Sequence, residues 1–157
     1  IKGKTEDIRL EALVLQKFIS AGLDLTTAIG VEVYEGHVML TGATKDHKLS
    51  DEAVRLAWQV NGVRDVINEI QLDRNSTAID FAHDAWITTQ LKSKLTFDRD
   101  IMAINYVVET VKGTVYLIGV AQNKMELNKV IAHASAIKHV INVVSHVRLK
   151  KKPFEAL

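Results

Sequence analysis

Six histidines and a closely spaced pair of carboxylates are the residues of this 157-residue chain that could do catalytic or metal chemistry. His133, His139 and His146 fall on a helix-like segment, a turn and a strand-like segment. Three histidines can hold zinc, but spacings of six and seven across three elements match no ligand pattern, so they read as surface residues. Asp98 and Asp100 alternate along the chain with no positioned partner. They predict a solvated loop rather than acid–base work. No phosphate-cradling glycine loop, metalloprotease helix or nucleophile elbow is present. The absence of cysteine excludes thiol nucleophiles, disulfides, zinc–cysteine sites and iron–sulfur clusters. No metal, cofactor or small-molecule substrate is expected, and the chain reads as a binding protein rather than an enzyme.

The binding chemistry centres on Trp86. Ile87, Leu91 and Leu95 recur at helical spacing and centre a buried stripe about 140° from Trp86 around the helix. Gln90, Ser93 and Phe97 fall within about 40° of the tryptophan, flanked by Thr89 and Lys94. Two aromatics, small polar residues and a lysine on an exposed face suit the headgroup boundary of a bilayer. The other use of such a residue is to pack against a neighbouring domain, and both readings of Trp86 stand at this point. Trp58 reads as partly buried structure.

The elements that position this patch come from an internal repeat. Gly36-His37-Val38-Met39-Leu40-Thr41-Gly42 and Gly113-Thr114-Val115-Tyr116-Leu117-Ile118-Gly119 share a G-x-V-x-L-x-G frame at an offset of 77 residues. The same offset, without a gap, superposes Asp7 on Asp84, Lys17 on Lys94, Ala57 on Ala134 and Leu72 on Leu149. The chain is therefore two modules, at 5–72 and 82–149, with a short polar linker at 73–81 and a basic tail at 150–157. So short a join predicts two small domains docked on each other.

Each module opens with a helix, carried by Leu10, Val14 and Phe18 or by Ile87, Leu91 and Leu95. Asp84 reads as the N-cap of the second copy's helix. Two alternating strands follow around the turns Glu35-Gly36 and Lys112-Gly113, where glycine supplies a positive φ. A second helix, capped by Asp46 or Asn123, is followed by a final strand ending at Leu72 or Leu149. The order is α-β-β-α-β: an α+β fold with two helices on one face of a three-stranded mixed sheet.

The hairpin frame, the amphipathic helix after it and the closing Val66-Ile67-Asn68-Glu69-Ile70 resemble the BON (bacterial OsmY and nodulation) domain. Copy two departs at Ser145, where the pattern has asparagine. The doubling and the Asp84–Leu95 helix are similar to the dual-BON lipoproteins of the Gram-negative outer membrane. The resemblance implies a periplasmic, outer-membrane-associated protein that binds phospholipid and supports outer-membrane integrity. It also implies a secretion signal and a lipidated cysteine, neither of which is in this chain. Its start at Ile1 predicts a processed or truncated form, with lipid anchoring expected of the full-length form by this likeness alone.

Net charge divides unevenly. Residues 1–72 carry −3 and residues 73–157 carry +4, with four of the six histidines in the second part. An anionic membrane would repel one module and attract the other, at about 1 kcal/mol for each basic residue close to its surface. The Lys150–Lys152 run is a weak addition to that attraction. The leading expectation is peripheral docking on anionic phospholipid through Trp86, Thr89, Gln90, Ser93, Lys94 and Phe97. The first module would support the second or contact an envelope protein partner. The alternative is a protein-interaction or stress-protective module without direct lipid binding. Nucleic acid is not an expected partner, because the basic excess is modest and no aromatics interleave on a strand face.

Overall fold

The computed structural model describes residues 2–22, 29–72 and 77–151. Residues 73–76 of the expected linker and 152–157 of the expected tail lie outside them. The chain divides into two compact units at Thr77/Ala78. The first contains α1 (Lys2–Ser20), β1 (Ile29–Tyr34), β2 (His37–Thr44), α2 (His47–Trp58) and β3 (Asp65–Leu72). The second contains α3 (Ala78–Phe97), a 3-10 turn (Ala103–Asn105), β4 (Tyr106–Val111), β5 (Thr114–Ala121), α4 (Lys124–Ser135) and β6 (Asn142–Leu149).

Each sheet is mixed, in the order β1-β2-β3 or β4-β5-β6, with an antiparallel hairpin and a parallel third strand. The crossover through the second helix makes that third strand parallel, as the α-β-β-α-β order requires. The helices pack on one sheet face because their apolar stripes leave no other way to escape water. Leu10, Val14 and Phe18 are buried in unit one, and Ile87, Leu91 and Leu95 in unit two. Full burial of each such side chain contributes about 1.5–3 kcal/mol. The expected caps are in place: Asp46 Oδ1 accepts from Lys48 N at 2.9 Å, and Asn123 Oδ1 from Glu126 N at 2.9 Å.

Both hairpins turn in two residues. Glu35 and Gly36 have φ of +50° and +80°, and Lys112 and Gly113 repeat those values. That is the mirror-image turn favoured by the twist of the flanking strands. Each turn also accepts the next strand: Arg64 N donates to Gly36 O and Ile141 N to Gly113 O, both at 2.8 Å.

Candidate functional site

The first helix of unit two begins at Ala78, six residues ahead of the cap expected at Asp84. Asp84 instead lies within α3 and is buried. Its Oδ2 accepts from Lys112 N at 2.8 Å and its Oδ1 from Gly113 N at 2.9 Å. Asp7 does the same in unit one, accepting from Glu35 N at 2.8 Å and Gly36 N at 3.0 Å. Two successive left-handed residues aim their N–H groups to one side, and a carboxylate across from them satisfies both. The expected N-cap is therefore a helix-to-hairpin tether. The common offset of Asp7/Asp84 and Gly36/Gly113 was the signal that could have shown it.

The longer helix extends the exposed face. Ile79 stands about 20° from Trp86 around the axis, on the same side as Phe97, so three large apolar residues line one edge over about 27 Å. Their exposures are 67% for Ile79, 44% for Trp86 and 82% for Phe97, while Ile87, Leu91 and Leu95 are buried beneath. Thr89, Ser93 and Lys94 are exposed and Gln90 is half-buried. The Thr89 hydroxyl is turned back to Ala85 O at 2.9 Å, so its donor is used within the helix. Trp58, expected to be partly buried, is half exposed on α2.

Trp86 has company that single-residue reading did not find. Its ring meets His139 edge-on at 6.2 Å, and His139 stacks on His83 at 4.3 Å with planes 10° apart. His139 holds a left-handed backbone at φ +76°. Desolvation, with the positive charge of His83 and Lys138 behind it, pushes its pKa below the usual histidine value. At the same offset unit one has Glu6, Arg9 and Gly62, where Arg9 Nε donates to Glu6 Oε2 at 3.1 Å. An ion pair in one module is thus an aromatic cluster in the other. His139, read as a surface residue, packs against Trp86 with His83 stacked behind it.

Asp98 and Asp100 are not a plain solvated loop. Lys129 Nζ donates to Asp98 Oδ1 at 3.0 Å and to Asp100 Oδ2 at 2.8 Å, and His133 Nε2 lies 2.8 Å from Asp98 Oδ2. The Asp98 side chain is only 12% exposed. The bond from His133, then the Asp100 N–H, then Lys129 hold its carboxyl well below the usual aspartate range. Both basic partners come from α4, so this cluster ties the end of α3 to the second helix. Sequence separations of 29 to 35 residues hid it from local reading. His37 is also engaged, its Nδ1 2.9 Å from Asp65 Oδ2. Among the described residues no group of three histidine, aspartate or glutamate side chains is placed to hold a metal ion.

The repeated fold agrees with the comparison to known families. The BON domain model matches twice, over residues 6–74 and 83–151. The chain belongs to the BON-domain family. An "Uncharacterized protein in gshII 5'region" of Anaplasma centrale is 40% identical over 125 residues, covering 79% of this chain and 83% of that relative. The outer membrane lipoprotein DolP of Haemophilus influenzae is 34% identical, over 73% of this chain and 60% of its own length. Osmotically-inducible protein Y of Escherichia coli is 26% identical, over 80% of this chain and 63% of its own. The chain thus spans about three fifths of DolP and of OsmY. Among the described residues no helix is long and apolar enough to cross a membrane.

Proposed function

We propose that this dual-BON chain is a non-enzymatic envelope protein of the periplasm and outer membrane, whose second module docks on anionic phospholipid. The observation that carries the reading is the exposed line Ile79–Trp86–Phe97 on α3, with Thr89, Gln90, Ser93 and Lys94 around it. At the 77-residue offset, unit one has Lys2, Arg9 and Ser20 in place of the three apolar residues. The likeness to an outer membrane lipoprotein supports the compartment.

The mechanism is physical. An aromatic side chain buries about 150–250 Å² on full desolvation, and at about 25 cal/mol per Å² even half of that gives about 2 kcal/mol. A lysine near an anionic surface adds about 1 kcal/mol. The apolar line therefore supplies most of the affinity, and the basic residues select the surface. Docking of this kind maintains contact with the outer membrane and so supports its integrity.

Co-sedimentation with phosphatidylglycerol vesicles tests the proposal, with phosphatidylcholine vesicles as the neutral comparison. Binding is expected for the former, and Trp86→Ala is expected to weaken it about tenfold or more, as loss of about 1.4 kcal/mol requires. Lys94→Glu should weaken it further. No sedimentation with either vesicle, or binding indifferent to the double substitution, would refute the site. The first outcome would favour a protein-interaction or stress-protective module, the reading the osmotically inducible relative supports.

A further inference from the structure

We infer that the loop from Asp98 to Asn105 is a second membrane-insertion element, carrying Met102 and Ile104 into the bilayer beside α3, and that the Asp98 cluster positions it. The inference rests on the lipid-docking reading above and extends it to a segment outside the helix.

Phe97, Met102 and Ile104 are 82%, 48% and 65% exposed, three large apolar side chains within eight residues. The loop between them is not loose. Asp98 N donates to Lys94 O, Ile101 N to Asp98 O and Asn105 N to Met102 O, at 3.0–3.2 Å. Ile101 is buried in the core of the unit, so the backbone is anchored at the middle of the segment while Met102 and Ile104 face water. Apolar side chains displayed on a fixed backbone lose less conformational entropy on docking than side chains on a floppy one.

The cluster contributes twice. It fastens the loop to α4 through Lys129 and His133. It also offsets part of the negative charge beside the apolar residues, because the one ammonium of Lys129 contacts Asp98 and Asp100 together. Two bare carboxylates there would repel an anionic surface. With Lys129 shared between them the two carboxylates keep a net −1, and the exposed Lys94 and Arg99 turn the local balance to +1. Apolar residues beside a net basic charge fit the boundary of an anionic bilayer, where a neutral protein groove would not need the bases. Unit one has Ala21, Leu23, Glu52 and Leu56 where unit two has Asp98, Asp100, Lys129 and His133. The device is thus confined to the module that carries the tryptophan.

The absence of cysteine makes a direct test simple. Ile104→Cys in the full chain, labelled with a polarity-sensitive fluorophore, is mixed with phosphatidylglycerol vesicles while co-sedimentation is measured in parallel. A blue shift on binding is the expected result. Sedimentation with the label still reporting water overturns this inference and leaves helix docking intact. No sedimentation overturns both. A concentration-dependent blue shift without vesicles would mean that a second copy covers the loop, which also overturns it. For the cluster, Asp98→Asn and Lys129→Met change the local charge in opposite directions. Positioning predicts that both weaken the label response several-fold, with unchanged circular dichroism. A response that rises in one and falls in the other would reduce the cluster to charge alone, and an unchanged response in both would remove its role.

Discussion

The carboxylates of Asp7 and Asp84 each do what a helix cap does, but for a hairpin 28 residues away. Asp84→Ala leaves the N–H groups of Lys112 and Gly113 without their acceptor in a buried setting, at a cost of about 1–3 kcal/mol. Urea unfolding should show that loss, and Lys112→Gly should recover part of it by relieving a left-handed non-glycine residue. A second prediction concerns His139, whose pKa is lowered from 6.5 by desolvation, His83 and Lys138. The unfolded chain then takes up this proton first as pH falls, so stability drops below pH 6.5 and levels off once the folded ring is also protonated. The facing groups are Asp80, Asp84 and Lys112, which line the same hollow as the two histidines. Histidine titrations by NMR should place the His139 midpoint below 6.5, and His83→Gln should raise it. A midpoint at or above 6.5 would contradict the stacked geometry. The change of Asn68 to Ser145 is mild for a visible reason. Asn68 Oδ1 accepts from Ile70 N at 3.0 Å, and Ser145 Oγ accepts from Val147 N at 3.2 Å, so the local bond survives.

Among the elements, the second glycine of the second copy's G-x-V-x-L-x-G frame carries a role beyond the turn. Gly119 has φ +148°, and a Cβ there would lie 2.0 Å from Asn105 O, inside any tolerable contact. Gly119→Ala must push β4 away from β5, and the backbone strain alone costs about 1–3 kcal/mol. Thermal unfolding should show a larger loss for it than for Gly3→Ala, where a Cβ meets nothing within 4 Å. Equal losses would mean that the close approach relaxes freely. The element order, the stripes, both turns and the α2 and α4 caps were legible in the sequence because each is written in spacings of two to eight residues. The start of α3 was not, since an aspartate before an apolar stripe reads as a cap until its partners in the hairpin are known. The Asp98–Lys129–His133 cluster and the His83–His139 stack were equally hidden, being formed between elements far apart in sequence. The exposed line on α3 was partly legible: Trp86 and Phe97 follow from helix geometry, but Ile79 joins them only once the helix is known to begin at Ala78.

At the scale of the whole molecule, a net charge of +1 conceals −3 in residues 1–72 and +4 in residues 73–157. Two contributions to docking should therefore separate by their response to salt. Charge attraction is screened over about 10 Å at 0.1 M ionic strength and about 3 Å at 1 M, whereas burial of apolar surface is not weakened by salt. Binding to phosphatidylglycerol vesicles should fall several-fold across that range and then persist at a residual level set by Ile79, Trp86 and Phe97. Trp86→Ala should lower affinity by a similar factor at every salt concentration. Lys94→Glu should matter at 0.1 M and little at 1 M, because it changes only the screened part. The two variants thus give curves of different slope, which vesicle sedimentation across a salt series resolves. Parallel curves for both would mean that Lys94 contributes through packing rather than charge. A salt-independent wild type would mean that the uneven division of charge plays no part in docking, and the affinity would then have to come from the apolar line alone.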